Sequence, residues 1–443
     1  MLYGYVMVGS GGLADILPRD VVEALGEGVR VSGRLYPTLC LACRGARMLC
    51  GKARCPILVK AEALVRVKGG LDREQIAGST PPAAFVGRIG YPKVYVGPLL
   101  PNFYGDTVLL DTPEWWLGKG IEEIISFRYS LVRGKSRLEV KAASTGHRLL
   151  DTLQELAMSV KAVDAEAVFE KKPLKMLILS DIAQPFGPSA PLRSFKASDS
   201  SVDRRIEKAY YDRDLKAAEA VAELYKKGVL VTRIQRAFSL GMFGEGKRRR
   251  LVPTRWSITA VDSIISEVLV KEVKNHPTVD KYMVFYLKNI GNLYIVILIP
   301  KPWSFEWIEA WFPGTPWNPE GASPKPAIMG DYESYWGRKD YPSIGGCYYS
   351  TRLAATEALS RMRRQATVLA LREIYPDYIL PVGVWNVRES IRAALKTKPR
   401  IFDTLEEALR FAKGLLKVPL QSWIPHSTIL RGALSQTTIK DYI

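Results

Sequence analysis

Four of the five cysteines in this 443-residue chain fall in one short segment, as Cys40, Cys43, Cys50 and Cys55, with the spacing C-x2-C-x6-C-x4-C. Thiolates this close in sequence can close a tetrahedron around one metal ion, and a segment that does so is fixed by its ligands rather than by an apolar core. A closed four-cysteine set leaves no open coordination position, so the expected ion is a structural Zn2+. An iron–sulfur cluster also takes four thiolates, and spacing does not separate the two. Four buried, unligated thiols is the third reading. Arg44, Arg47, Lys52, Arg54 and Lys60 surround the cluster and would offset the charge of a tetrathiolate centre.

Around this segment the pattern is that of a mixed α/β (α+β) protein: a small four-cysteine zinc module on a larger mixed core, with a flexible C-terminal tail. The expected divisions are a lead segment over 1–35, the cysteine module over 36–60, the mixed core over 61–418 and the tail over 419–443. Gly and Pro punctuate strands over 61–110, and helical runs follow near 113–132 and 146–161. The apolar run 176–180 reads as a strand. Asp203 caps a helix that Gly228 stops. Residues 252–270 pass from an extended phrase into a helix that Ser257 or Thr259 would cap. Asn289-Ile-Gly-Asn292 between two apolar runs predicts a hairpin. Leu359, Met362, Ala366 and Leu369, at 3-4-3 spacing, predict a long helix over about 350–374. Shorter helices are expected over 385–397 and 404–416.

The chain carries 63 Lys+Arg against 45 Asp+Glu, a formal charge of +18. Such a surplus favours polyanionic partners, DNA foremost. Lys247, Arg248, Arg249 and Arg250 form a short run that reads as a phosphate-contacting loop. No stretch approaches the ~18–20 apolar residues of a membrane helix. The start, Met1–Gly12, lacks the basic region of a signal peptide. A soluble, cytoplasmic, chromosome-associated protein with no membrane partner is expected. The aromatics Trp303, Trp307, Trp311, Trp317, Trp336, Tyr348 and Tyr349 either stack exposed bases or fill a core.

The sequence ends Gln436-Thr-Thr-Ile439-Lys-Asp-Tyr442-Ile443. On one helical turn Ile439 and Tyr442 lie at i and i+3 and project together into one apolar pocket, with the Gln436 amide as an anchor. This matches the peptide (PIP box) by which replication and repair proteins dock on the sliding clamp, PCNA. Ile443 stands where the strongest versions carry a second aromatic, which predicts a weaker plug.

No recognised catalytic signature is present. Arg255, Asp262, Glu306, Glu309, Asp331, Glu333, Arg338, Arg352, Arg388 and Glu389 lie in unusual phrases. Read as a helix, Phe305-Glu-Trp-Ile-Glu309 puts Glu306 and Glu309 on one face, where paired carboxylates hold Mg2+ for phosphodiester cleavage. Arg255 and Arg352 with nearby Ser/Thr would instead grip a nucleotide, as in a transferase. Rim charges and ion pairs are the third reading.

The phrases Phe186–Leu192, Val252–Asp262 and Pro381–Glu389, with the cysteine cluster and the terminal peptide, resemble the archaeal Nre family of DNA repair proteins over about residues 36–443. The resemblance implies a four-cysteine metal site at Cys40, Cys43, Cys50 and Cys55 and a clamp-binding peptide at Gln436–Ile443. It also implies a role in repair of DNA damage, including crosslinks, alongside nucleotide excision repair. The expected function is therefore a DNA repair protein recruited through the sliding clamp. An enzyme acting on DNA or its ends, and a zinc-bearing RNA-binding protein, are the rivals.

Overall fold

The computed structural model describes residues 17–25, 30–32, 40, 42–66, 73–174, 176–178, 185–318 and 323–435. They are a mixture of helices and two six-stranded mixed sheets. They fall into two compact units: residues up to Leu49 with Cys55–Ile265 form the first, and Cys50–Arg54 with the residues from Ser266 onward form the second. The core expected over 61–418 is thus divided. The cysteine-bearing segment is divided as well, because Cys50 groups with the second unit and Cys55 with the first.

The sheet of the first unit is built from β2 (Gln75–Thr80), β3 (Ala84–Val86), β4 (Lys93–Leu100), β5 (Val132–Glu139), β6 (Val163–Phe169) and β8 (Ser189–Ala197), in the order β2-β6-β8-β5-β4-β3. Only β5 and β8 pair in parallel. Two further strands, β1 (Arg30–Ser32) and β7 (Met176–Ile178), pair in parallel by themselves. Period-2 alternation decides the faces: Val94 and Val96 are fully buried, while Lys93 and Tyr95, which alternate with them, are exposed. Ile76, Leu100, Val132, Ala167 and Phe169 form part of the core on this sheet. Gly97 is required where β4 crosses β5, since a Cβ there would lie 1.7 Å from the Gly134 carbonyl oxygen.

Asp203 caps its helix as expected, its Oδ1 accepting the Arg205 N–H at 3.1 Å. The run to Gly228 is two helices, Arg204–Tyr211 and Ala217–Lys226. Between them Asp212 Oδ1 accepts the N–H groups of Asp214 and Leu215, a side-chain turn that competes with helix continuation. Gly228, at φ +76°, ends the second helix. The next long helix starts at Thr254 and runs to Val273. Ser257 and Thr259 therefore lie inside it and neither caps it. Thr254 Oγ1 instead accepts the Val86 N–H at 2.9 Å and ties the helix start to β3.

In the second unit β9 (Tyr282–Asn289), β10 (Asn292–Ile299), β11 (Ser304–Trp311), β12 (Ala327–Glu333), β13 (Thr367–Ile374) and β14 (Arg400–Phe402) lie in the order β12-β11-β13-β10-β9-β14. The β9–β10 hairpin forms as expected, with Ile290 and Gly291 both at positive φ. One face of the sheet is covered by the helices Gly346–Met362 and Trp385–Ala394, through Tyr348, Leu359 and Ile391. The other is covered by the helix Leu405–Leu415 and the segments after it, through Leu409, Trp423 and Leu430.

Burial on both faces erases the alternation on which a strand is recognised. The helix expected over 350–374 ends at Met362, and residues 367–374 are the central strand β13. Arg363 takes the left-handed conformation that stops the helix, so the usual glycine signal is missing. The phrase Phe305–Glu309 is likewise strand β11, not helix. The tail expected from 419 is helical over Leu420–Trp423 and Thr428–Ser435, with Trp423 and Leu430 fully buried. Among the described residues no helix is long and apolar enough to cross a membrane.

Candidate functional site

On a strand, residues three apart point to opposite faces. Glu306 and Glu309 therefore do not pair, which removes the two-carboxylate Mg2+ arrangement. Glu309 faces the side of Tyr294 and Tyr348. Its Oε1 accepts from Arg372 Nη1 at 2.8 Å and its Oε2 from the Trp311 indole at 3.1 Å. Arg372 also donates through Nε to Asn292 Oδ1 at 3.0 Å, and Tyr294, Trp311 and Tyr378 surround its guanidinium at about 5.4–5.5 Å. Burial alone would lower the Arg372 pKa. Tyr294 and Glu309 outweigh it, and the pKa is raised. Burial and the negative charge of Glu309 push the neighbouring Cys347 thiol far up, so it stays protonated.

A second buried pair lies on the same side. Arg352 Nη1 donates to Glu333 Oε2 at 2.8 Å, and its Nε to Ser266 Oγ at 3.0 Å. The Trp303 indole donates to the other Glu333 oxygen at 3.3 Å. Asp331 accepts from Arg338 Nη1 at 2.8 Å and from the Ser343 N–H and hydroxyl. Burial pulls the Asp331 pKa upward, yet these bonds win and hold it below the ordinary carboxylate value. Glu389 Oε1 accepts from Arg388 Nε at 3.1 Å and Arg392 Nη1 at 2.9 Å, and Arg392 also grips Glu357. Most of the Asp, Glu and Arg candidates on this side of the sheet are thus held in ion pairs.

On the opposite face two carboxylates hold the C-terminal segment. Glu373 accepts the N–H groups of Lys417 and Val418 and the Tyr375 hydroxyl. Glu306 accepts the Ser427 hydroxyl and the N–H groups of Thr428 and Ile429, at the start of the helix Thr428–Ser435. A carboxylate there satisfies orphan donors and complements the helix dipole. Burial raises the Glu306 pKa against these bonds. The chain is therefore fastened to the sheet as far as Leu430. Gln436, Ile439, Tyr442 and Ile443 of the expected clamp peptide lie outside the described residues.

At the cysteine segment the backbone turns sharply, with Arg44, Gly45, Met48 and Gly51 at positive φ. Burial opposes ionisation of Cys43, but the amides of Leu49, Arg47, Gly45 and Met48 outweigh it and lower the pKa. Cys43 and Cys55 are buried, and Cys40 and Cys50 partly so. Among the described residues no three metal-ligating side chains converge. Lys52, nearly fully buried, donates to the Gly314 carbonyl at 2.5 Å and secures residues 50–54 within the second unit.

The remaining candidates separate by burial. Asp262 is fully buried and accepts from Gln235 Nε2 at 2.9 Å. Arg249 is also buried, its guanidinium bound to the carbonyls of Gly244, Tyr210 and Asp212, so it holds a loop together rather than reaching a phosphate. Arg250 donates to Ser144 Oγ. Lys247, Arg248 and Arg255 are exposed. Of the aromatics, Trp303, Trp307 and Tyr348 are core, whereas Trp317 and Trp336 are exposed. Arg372 and Glu373 escape a reading of the sequence, although two charged residues closing an apolar run were the signal that could have found them. Tyr91 escapes it too: its ring meets that of Trp256 at 5.3 Å on the surface of the first unit.

No solved structure matches the chain. Its sequence is 43% identical over 399 residues to the DNA repair protein NreB of Archaeoglobus fulgidus, covering 90% of this chain and 98% of that protein. It is 41% identical to the DNA repair protein NreA of the same organism, over 84% of this chain and 92% of the relative. To the DNA repair protein NreA of Haloferax volcanii it is 36% identical, over 83% and 89%. The family description "Archaeal Nre, N-terminal" matches residues 49–318, and "Archaeal Nre, C-terminal" matches residues 333–442. The chain belongs to the archaeal Nre family.

Proposed function

We propose that this chain is a DNA repair protein that reaches its substrate by docking on the sliding clamp through residues 436–443. The observation that carries the reading is a 43% identity reaching across 98% of a protein named for DNA repair. The terminal Q-x-x-I-x-x-Y-I pattern supplies the means of recruitment. A pull-down with purified clamp tests the reading. The full chain is retained and a chain ending at Ser435 is not. Equal retention of both removes the clamp from the account.

The net charge of +18 supports DNA as the surface on which the protein works. Cys40, Cys43, Cys50 and Cys55, which do not converge among the described residues, would have to draw together to hold a structural Zn2+. The tight turns and the amides directed at Cys43 suit a thiolate, and the local arginines and lysines suit the negative charge of a tetrathiolate. The ion would supply a staple and no reaction chemistry. Metal analysis of protein purified without oxygen finds zinc, and iron in its place overturns the assignment.

A further inference from the structure

We infer that the tip of the β3–β4 hairpin and the start of the helix Thr254–Val273 together form a platform for the unstacked bases of single-stranded DNA. The inference rests on the DNA reading above and locates where in the first unit a strand is held.

The platform is an aromatic pair that the core does not use. Tyr91 is 52% and Trp256 46% exposed, yet their rings lie 5.3 Å apart at 53°. Packing against each other accounts for one flank of each ring and leaves large apolar area in water. Ile89, at 76%, and Tyr95, at 43%, extend that area along the hairpin. A cluster of exposed apolar side chains is a candidate binding surface.

The two elements are held in place. Val86 N–H donates to Thr254 Oγ1 at 2.9 Å, so the end of β3 is tied to the first residue of the helix. Trp256 N–H donates to the Pro253 carbonyl at 2.8 Å. In the hairpin, Lys93 N–H donates to the Gly90 carbonyl at 2.9 Å, and Val140 N–H to that of Pro92 at 2.9 Å. The Tyr91–Trp256 pair is therefore presented on a pre-ordered frame, which lowers the entropic cost of binding.

Charge identifies the occupant. Arg88, Lys93, Arg137 and Arg255 are all exposed, on the elements that carry the pair or on the neighbouring strand β5. Arg88 is two residues before Gly90, and an Arg137 Nη lies 3.5 Å from where a Cβ on Gly90 would stand. Arg137 stands opposite Tyr95 in the ladder, and Lys93 opposite Glu139, the carboxylate that interrupts the face. Arg255 immediately precedes Trp256. Among the described residues none of these four cations forms an ion pair. An apolar peptide would leave them unpaired, and a duplex would hide the base faces that the rings can meet. Stacking on aromatics with cations along the backbone is the recognition chemistry of single strands.

The test uses the full chain and a fluorescein-labelled oligothymidylate. Anisotropy gives the affinity, and the emission difference between wild type and Trp256→Phe reports the indole. Binding quenches Trp256. Tyr91→Ala and Trp256→Ala each weaken binding roughly tenfold, while Tyr91→Phe and Trp256→Phe retain it. The double change Arg88→Ala/Arg255→Ala lowers the slope of log affinity against log salt by about 1.4. These side chains are exposed, so the variants should unfold with the wild type, which circular dichroism checks. Strand binding that none of the variants alters overturns the platform and leaves the DNA reading standing. Equal binding of a blunt duplex, or tighter binding of oligouridylate, also overturns the assignment to single-stranded DNA. Failure to bind any strand overturns both.

Discussion

Arg372 in the second unit and Arg255 in the first carry the same guanidinium in opposite surroundings. Arg372 is 2% exposed, bonded to Glu309 and Asn292, and enclosed by three aromatic rings. Arg255 is exposed, beside a half-exposed tryptophan, with no ion pair among the described residues. In the second unit charge is spent on architecture: Arg352 and Arg392 repeat the theme with Glu333, Glu357 and Glu389. The first unit does the same where Arg128 and Arg236 hold Asp111 and Arg249 holds a loop, but the cations around the β3–β4 hairpin lie open. A surplus of +18 is thus not one surface property, and a count of arginines overstates the part that meets a polyanion.

The sharpest way to break this contrast is to remove one partner of a buried pair. Glu309→Ala leaves the Arg372 charge uncompensated and should destabilise the second unit by about 3–5 kcal/mol, read from urea unfolding. Replacing the pair with apolar residues, Glu309→Leu with Arg372→Met, should cost far less. If the single change costs no more than the double, the pair is not the constraint described above.

Next in size is Glu306→Ala, which leaves the first N–H groups of the helix Thr428–Ser435 without their acceptor. A loss of about 2 kcal/mol is expected, with faster hydrogen exchange over residues 427–431 than elsewhere. Exchange that stays unchanged there would mean that Glu306 does not fasten the C-terminal segment.

Asp203 sharpens the contrast within the first unit. The Arg205 side chain, helped by the Arg205 amide and Arg233, holds its carboxyl down at about 2, below the ordinary 3.8. A depressed folded-state pKa contributes stability that is fully present above the unfolded value and is lost as pH falls through the folded one. Asp203→Asn should therefore cost about 1 kcal/mol at pH 6, after allowance for solvent screening, and the difference from wild type should shrink between pH 3.8 and 2. The smallest effect belongs to the exposed cations: Arg88→Ala and Arg255→Ala should change stability by less than about 0.5 kcal/mol. A large loss from either would show that it is structural, like Arg249, rather than free to meet a ligand.

Much of this is legible in the sequence, and the largest failure has a single cause. The β9–β10 hairpin, the Asp203 cap and the helix near 404–416 are local: a turn dipeptide, a side-chain acceptor, a capping box at Thr404 and Glu407. Strands β11 and β13 were not legible, because a sheet covered on both faces turns a period of two into an unbroken apolar run. The same burial turned Glu306 and Glu309 from an apparent pair into residues on opposite faces. Tyr91 and Trp256 are separated by most of the first unit in sequence, and only the fold brings them together. The charges in the unusual phrase near 381–389 serve the Arg388–Glu389–Arg392 network.

The proposed role is in DNA repair by way of the clamp. It is tested most directly by survival after crosslinking damage, in cells whose own copy is replaced by a chain ending at Ser435. The account predicts that these cells are as sensitive as cells lacking the protein, although the shortened chain is present at normal levels. Survival equal to that of cells with the full chain would contradict it.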